Sequence, residues 1–355
     1  MQSEGLVGGT VGAVAADAST VVAPAPAPDD AALRLVGVTK VFPGAPAPAV
    51  DHLDLAMAEG ELTALVGPSG CGKSTTLRMI NRLIEPTSGE IFVQGVEVRD
   101  QPRHELRRRI GYVIQQIGLF PHRTVADNIA TVPKLLGWKK AAIRDRTAEL
   151  AAQVGLDEDL LDRYPAALSG GQQQRVGVAR ALAADPPVLL MDEPYSAVDP
   201  IVRAHLQDDL LRLQRELRKT IVLVTHDIDE AIKLGDRVAL LNVGRKLEQF
   251  GTPDEVLRAP ANDFVARFLG RERGLKRMAL ITVGQVPLQP GPVVTTDASR
   301  ADAQAAMAAA GVDWVGVLDG ERLLGWAHAD DLAAADHVGD APHERFRAWV
   351  RPDAT

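Results

Sequence analysis

The sequence predicts an α/β protein whose core is a parallel sheet built around a phosphate-binding loop. Three observations point there. Residues 67–75 read GPSGCGKST, a Gly-rich loop with Lys and Ser at fixed spacing. The loop follows a β-rich run over 62–66 and opens a predicted helix over 74–83. Three short apolar runs, residues 188–191, 221–225 and 238–241, have the length and near-continuous hydrophobicity of strands buried on both faces. Between the first two, Leu206, Leu210, Leu213 and Leu217 fall on one face of an amphipathic helix, so strands and helices alternate.

Residues 1–30, rich in Ala, Val and Pro and closing on PAPAPDD, read as a disordered leader. Residues 33–42 and 53–58 read as early strands. A further β segment is expected over 90–98, after the turn signal Pro86-Thr87-Ser88-Gly89. Residues 125–183 carry a mostly helical pattern, with breaks expected at Pro133, Gly155 and Pro165, and form an insertion in the α/β core. Composition shifts near residue 278. From residue 279 on there are eleven acidic residues against five arginines, a balance of −6 that leaves only −2 of the net −8 for the rest of the chain. This predicts a separate acidic module over 279–355.

At 355 residues the chain is long enough for one large domain and a smaller one. There is no basic stripe of the kind that tracks nucleic acid. No apolar run approaches the length of a membrane span, and the N-terminus lacks a basic segment followed by an apolar core. Cys71 is the single cysteine and lies inside the Gly-rich loop, so no disulfide can form within the chain. These features fit a soluble cytosolic protein.

The chemistry concentrates in four places. In the loop of Gly67, Pro68, Ser69, Gly70, Cys71, Gly72, Lys73, Ser74 and Thr75, the glycines let backbone N–H groups turn inward around a phosphate chain. Lys73 can reach the β and γ oxygens, and the Ser74 hydroxyl can ligate Mg²⁺. The apolar strand over 188–191 ends in Asp192 and Glu193. Buried strands deliver side chains to the carboxyl edge of a parallel sheet, where Asp192 can hold Mg²⁺ and Glu193 can polarise an attacking water. His226 ends the strand over 221–225, in position to contact a γ-phosphate; a lone strand-end His is otherwise structural. Residues 168–175 read LSGGQQQR, in which Ser169, Gly170, Gly171 and Gln172 open a helix whose free N–H groups form an anion site.

The phosphate loop, LSGGQQQR, MDEP and THD, in this order, resemble the ATPase subunit of ABC transporters, over about residues 33–275. The resemblance implies a P-loop ABC ATPase fold: a RecA-like core with an antiparallel β subdomain and a helical subdomain at about 125–183, the whole domain spanning 31–275. It implies ATP and Mg²⁺ as ligands. Phe42 then matches the aromatic that stacks on adenine, the alternative being a core phenylalanine. Gln115, in VIQQIGLFPH, matches the glutamine that links Mg²⁺ and attacking water to the permease contact, with Gln116 as its neighbour in register. Asp199, in Ser196-Ala197-Val198-Asp199, matches the loop that crosses to a partner subunit. In this family ATP lies between the phosphate loop of one subunit and the SGG loop of the other, so a homodimer is expected. The further partners are an integral-membrane permease and, indirectly, an extracytoplasmic solute-binding protein, which places the chain at the cytoplasmic face of the membrane. Nucleic acid is not among the expected partners.

Residues 251–270 resemble the trailing segment of bacterial importer subunits, and residues 79–91, 110–133, 199–203 and 270–278 resemble the subgroup that imports glycine betaine, proline betaine, carnitine or choline. An importer of another small solute, such as an amino acid or a polyamine, and a soluble ABC ATPase outside transport stand as alternatives. Residues 292–335 run strand, Ala-rich helix, strand, Asp-Gly turn, strand, helix start, and resemble one CBS motif, a small α+β regulatory module. There Asp331 matches the motif's Asp, while His328 stands where a hydroxyl is expected.

Overall fold

The computed structural model describes residues 31–115, 118–196, 198–243, 246–280, 291–320, 322–342 and 344–345. The leader expected over 1–30, Gln116 and Ala197 lie outside the described residues. By compactness the chain divides into two units, with the division between Lys276 and Arg277.

In the first unit, β1 (Ala31–Lys40) and β2 (Val50–Ala58) pair antiparallel. Leu33, Leu35, Leu53 and Leu55 turn to the interior in period two. Next come β3 (Leu62–Val66), which is buried throughout, and α1 (Lys73–Ile80). The helix is shorter than the predicted 74–83. Asn81 caps it with its N–H on the Leu77 carbonyl, and Arg82 turns left-handed at φ 48°. The Arg82 guanidinium then bonds the carbonyls of Val98 and Gln101, so a tertiary contact ends the helix.

The β segment expected over 90–98 is a hairpin of β4 (Ser88–Val93) and β5 (Val96–Glu97), turned at Gln94-Gly95 with both residues at positive φ. The four strands form one antiparallel sheet in the order β2-β1-β4-β5. Helix α2 (Arg103–Arg108) leads into β6 (Ile110–Val113), a strand that sequence periodicity does not reveal.

The helical insertion holds α3 (Val125–Ile129), α4 (Thr131–Leu135), α5 (Lys140–Gln153) and α6 (Gly170–Leu182). Gly155, at φ 69°, ends the turn that follows α5, and Pro165 opens a 3₁₀ turn, both as expected. Pro133 does not break a helix. It falls in the first turn of α4, where an N–H has no partner to lose, and the break lies at Ala130. The chain then alternates through β7 (Val188–Asp192), α7 (Pro200–Leu217), β8 (Thr220–Thr225), α8 (Ile228–Leu234), β9 (Arg237–Leu241) and β10 (Leu247–Gly251). It closes with the helices α9 (Pro253–Arg258), α10 (Asp263–Leu269) and α11 (Arg273–Met278).

The core sheet runs β10-β9-β3-β8-β7-β6, parallel except for β10. It is covered on both faces, which is why its strands read as continuous apolar runs. Along β7 the side chains alternate. Leu190 packs with Leu33, Leu53 and Leu77 on one side, while Leu189 and Met191 pack with Val176, Leu206 and Leu210 on the other. Strands β3, β6, β7 and β8 therefore end at one edge.

In the second unit, β11 (Val293–Thr295), α12 (Arg300–Ala310) and β12 (Trp314–Asp319) form a parallel crossover. Strands β13 (Arg322–His328) and β14 (Glu344–Arg345) extend the sheet antiparallel. Ser299 and Asp302 close a capping box on α12, and Gly311 ends it at φ 67°. Met307, Val315, Val317, Ala327 and Leu332 form its core. The element order matches the sequence reading through β13. The expected helix start is a 3₁₀ turn, Asp331–Ala334.

Gly111 in β6 faces the carbonyl of Ala181 in α6. A Cβ there would stand 2.6 Å from that oxygen and 2.8 Å from Leu189 Cδ1. Gly111→Ala is therefore expected to destabilise the fold by about 1–3 kcal/mol through overpacking. Urea denaturation checks this; a midpoint equal to the parent's contradicts it.

Candidate active site

The site forms where β3, β7 and β8 end. The chain leaves β3 into the phosphate loop through Gly67, where a Cβ would collide with the Leu241 carbonyl. It enters α1 through Gly72 at φ 98°, where a Cβ would collide with the Ala49 carbonyl. Gly70, at φ 82°, has open space above it. No side chain caps the N-terminus of α1, so its first N–H groups point into the loop without an intrahelical partner. Lys73 is buried and turns back into the loop. Its Nζ donates to the carbonyls of Gly67 at 2.7 Å and Pro68 at 3.1 Å and lies 3.6 Å from Cys71 Sγ. Cys71 is buried, whereas Ser69 and Gly70 are exposed.

Ser74, on the first turn of α1, donates its hydroxyl to Asp192 Oδ1 at 2.7 Å. Asp192 is the last residue of β7 and is 4 % exposed. A hydroxyl and a carboxylate beside a phosphate loop suit Mg²⁺, which takes oxygen ligands and holds one or two protein groups together with substrate phosphates. Among the described residues no cluster of three or more His, Cys, Asp or Glu is arranged to hold a metal.

Glu193 follows in a left-handed conformation, φ 45°, with its N–H on the Val224 carbonyl at 3.0 Å. A non-glycine residue held there is strained, and the strain swings the side chain off the strand. Its Oε2 accepts from Gln115 Nε2 at 3.2 Å and lies 3.3 Å from His226 Nδ1. Lys73, Ser74, Asp192, Glu193, Gln115 and His226 thus converge from four segments of sequence.

Phe42 is 40 % exposed and so is not a core residue; Lys40 Nζ stands 5.2 Å from its ring centroid. It lies on the segment between β1 and β2, whose far end at Ala49 touches the phosphate loop.

The remaining predicted residues stand in a second group. Ser169 caps α6 in a capping box. Its hydroxyl accepts from the Gln172 N–H at 3.3 Å, and Gln172 Oε1 accepts from the Ser169 N–H at 2.9 Å. Asp199 caps α7 through Ile201 N at 2.9 Å. The two helix starts adjoin, since a Cβ on Gly171 would stand 2.7 Å from Val202. Ser169, Gly170 and Asp199 are exposed, and Ile201 is 73 % exposed. Among the described residues no hydrogen bond or ion pair joins this group to the phosphate loop.

Two residues escaped sequence reasoning. Tyr112 in β6 places its hydroxyl 3.4 Å from Asp192 Oδ2, and burial together with the Asp192 charge pushes its phenol up to about 12. Strand parity was the available signal: Tyr112 pairs with Leu190, two residues before Asp192 on the same face. The other is Glu230 on α8, buried, which accepts from Gln207 Nε2 of α7 at 3.0 Å. This bond ties the helix that follows Asp199 to the helix that follows His226.

The sequence profile of the family described as "ABC transporter" matches residues 50–196. The chain is 52 % identical to the glycine betaine/carnitine/choline transport ATP-binding protein OpuCA of Bacillus subtilis (strain 168), over 82 % of this chain and 77 % of that protein. It is 55 % identical to the osmoprotectant import ATP-binding protein OsmV of Salmonella typhimurium (strain LT2), over 74 % of this chain and 69 % of that one. The chain belongs to the ABC transporter ATP-binding proteins. Among solved structures, a dimeric ATP-binding cassette in a post-hydrolysis state, bound to ADP and Pi, superimposes with a TM-score of 0.56 at 36 % identity, covering 62 % of this chain and 98 % of that cassette. The antiparallel sheet, core sheet and helical insertion are those of an ABC cassette.

Burial pushes the Glu230 carboxyl of this ABC protein above its ordinary value of 4.5, against the hydrogen bonds from Thr225 and Gln207. A group that binds its proton more tightly when folded contributes most below the unfolded value, and that contribution declines as pH rises through the folded value. Glu230→Gln lacks this decline. Its melting temperature relative to the parent is expected to rise between about pH 5 and pH 8, as followed by circular dichroism; an offset that stays constant contradicts the assignment.

Proposed function

We propose that this chain is the ATP-hydrolysing subunit of a membrane importer for a quaternary-amine compatible solute of the glycine betaine, proline, carnitine or choline class. The observation that carries the enzymatic reading is Glu193, held between Gln115 and His226 beside the Ser74–Asp192 pair. The solute class rests on the names of the relatives and on the likeness extending over four fifths of the chain.

In this reading Gly67 to Thr75 cradle the triphosphate, and Lys73 exchanges two backbone carbonyls for phosphate oxygens. Phe42 offers its exposed face to the adenine. Ser74 and Asp192, with Gln115, hold Mg²⁺, which supplies charge neutralisation on the phosphate oxygens. Glu193 orients the attacking water and accepts its proton. Gln115 and His226 hold the Glu193 carboxylate toward that water, and His226 contacts the γ-phosphate. Ser169, Gly170, Gly171, Gln172 and Asp199 complete the site of a second subunit. Two observations support a homodimer: the chain carries one phosphate loop and one SGG helix start, and the solved cassette is dimeric. Among the described residues no helix is long and apolar enough to cross a membrane. A peripheral subunit on the cytoplasmic face, bound to a separate permease and working with a solute-binding protein, suits that.

The acidic second unit is read as a CBS-like regulatory tail. Its Asp331 Oδ2 accepts from the backbone N–H of His328, the residue that stands where the motif has a hydroxyl, at 3.1 Å.

Glu193→Gln keeps the side chain's shape and removes its charge. Turnover is expected to fall about a hundredfold or more, with ATP affinity within a factor of three and accumulation of an ATP-bound dimer. Steady-state hydrolysis within twofold of the parent removes Glu193 from this role. Pairing one Ser169→Arg subunit with one Lys73→Ala subunit tests the shared site. Both lesions then fall in the same composite site, so one site stays intact and about half the turnover survives; equal damage at both sites means each is built within one chain. Uptake by the reconstituted importer, with labelled glycine betaine and competing carnitine, choline, proline and putrescine, tests the solute class. Competition by putrescine alone favours a polyamine importer.

A further inference from the structure

We infer that Tyr112 is a positioning residue for the metal-binding carboxylate; this rests on the proposed metal role of Asp192. Four side chains gather where β6 and β7 end. Ser74 and Arg78 lie one turn apart on α1, Tyr112 stands on β6 and Asp192 ends the neighbouring β7. Ser74 donates to Asp192 Oδ1 at 2.7 Å, and the Tyr112 hydroxyl reaches Oδ2 at 3.4 Å. The Arg78 charge stands near the same phenol and draws its value down, against burial.

The chemistry of the groups sets the direction of every bond. An ionised carboxylate only accepts, so the Tyr112 hydroxyl donates its single proton to Asp192. Both Asp192 oxygens are thereby oriented, one from the phosphate-loop helix and one from the sheet. Ser74 has a competing duty, because its oxygen is also the one offered to Mg²⁺. Tyr112 has none, so it can keep the carboxylate fixed while Ser74 turns to the metal. Three residues later the same strand end delivers Gln115 to Glu193. One edge strand thus steadies both adjacent carboxylates, one through Tyr112 and the other through Gln115.

The test is Tyr112→Phe, which keeps the ring and removes only the hydroxyl. Mn²⁺ serves as the probe, titrated into the full chain with a non-hydrolysable ATP analogue and followed by electron paramagnetic resonance. Mn²⁺ affinity is expected to fall about three- to tenfold, the effect of one hydrogen bond to a charged group made long. Metal-free nucleotide affinity and melting temperature should stay at parental values, which a merely structural role would not predict. Parental Mn²⁺ affinity in Tyr112→Phe overturns the inference. Asp192→Asn separates the two readings: if it too binds Mn²⁺ like the parent, the metal role of Asp192 fails, whereas loss of binding in Asp192→Asn with none in Tyr112→Phe sinks only the role of Tyr112.

Discussion

The hydrogen bond from Ser74 to Asp192 is the constraint on which the rest of the site depends. It joins the first turn of α1 to the last residue of β7, across 118 positions of sequence. A buried carboxylate without a partner is costly, so Asp192 must find a donor. The sheet order supplies one: β3 pairs with β8 and β8 with β7, so the phosphate loop leaving β3 arrives over the end of β7. The apolar packing on both faces fixes those strand ends relative to one another. The polar groups at the edge then need only local turns, at Gly72 and Glu193, to meet.

Much of this was readable from the amino-acid sequence because each signal is local. The phosphate loop is a contiguous string between a strand and a helix, and the strands β7, β8 and β9 show as apolar runs since both faces are buried. The parts that were not readable are set by distant partners. Helix α1 stops at Ile80 because Arg82 finds carbonyls near residue 100, and no local breaker marks it. Strand β6 has four residues with a glycine among them, too short for any period. Its existence follows from pairing with β7, and with it comes Tyr112. Pro133 carries the strongest local breaker signal in the helical insertion, yet its position in a first turn cancels it.

The two groups of site residues obey different structural logics. The Lys73–Glu193 group is anchored by buried contacts to the core sheet and meets within one chain. The Ser169 and Asp199 group stands on two adjacent helix starts, is exposed, and spends its side chains on capping. A capping hydroxyl holds the first turn open with its N–H groups presented, so the same feature that stabilises α6 leaves it facing outward with unused donors. An exposed anion site next to an exposed Ile201 is a surface that gains from being covered by a second subunit.

Lys73 brings a buried charge into the phosphate loop. Its ammonium is buried and would be costly there alone. The Gly67 and Pro68 carbonyls take two of its hydrogens, both oxygens belonging to the loop that receives phosphate. Phosphate oxygens carry full charge where the carbonyls carry partial charge, so exchanging one set for the other favours the ligand through charge-assisted bonds. In the proposed reading the loop loses an internal tie as it gains an external one, and the uncapped N–H groups at the start of α1 face the phosphate. In that reading gains and losses fall on the same few atoms, beside the strand ends that carry Asp192, Glu193 and His226.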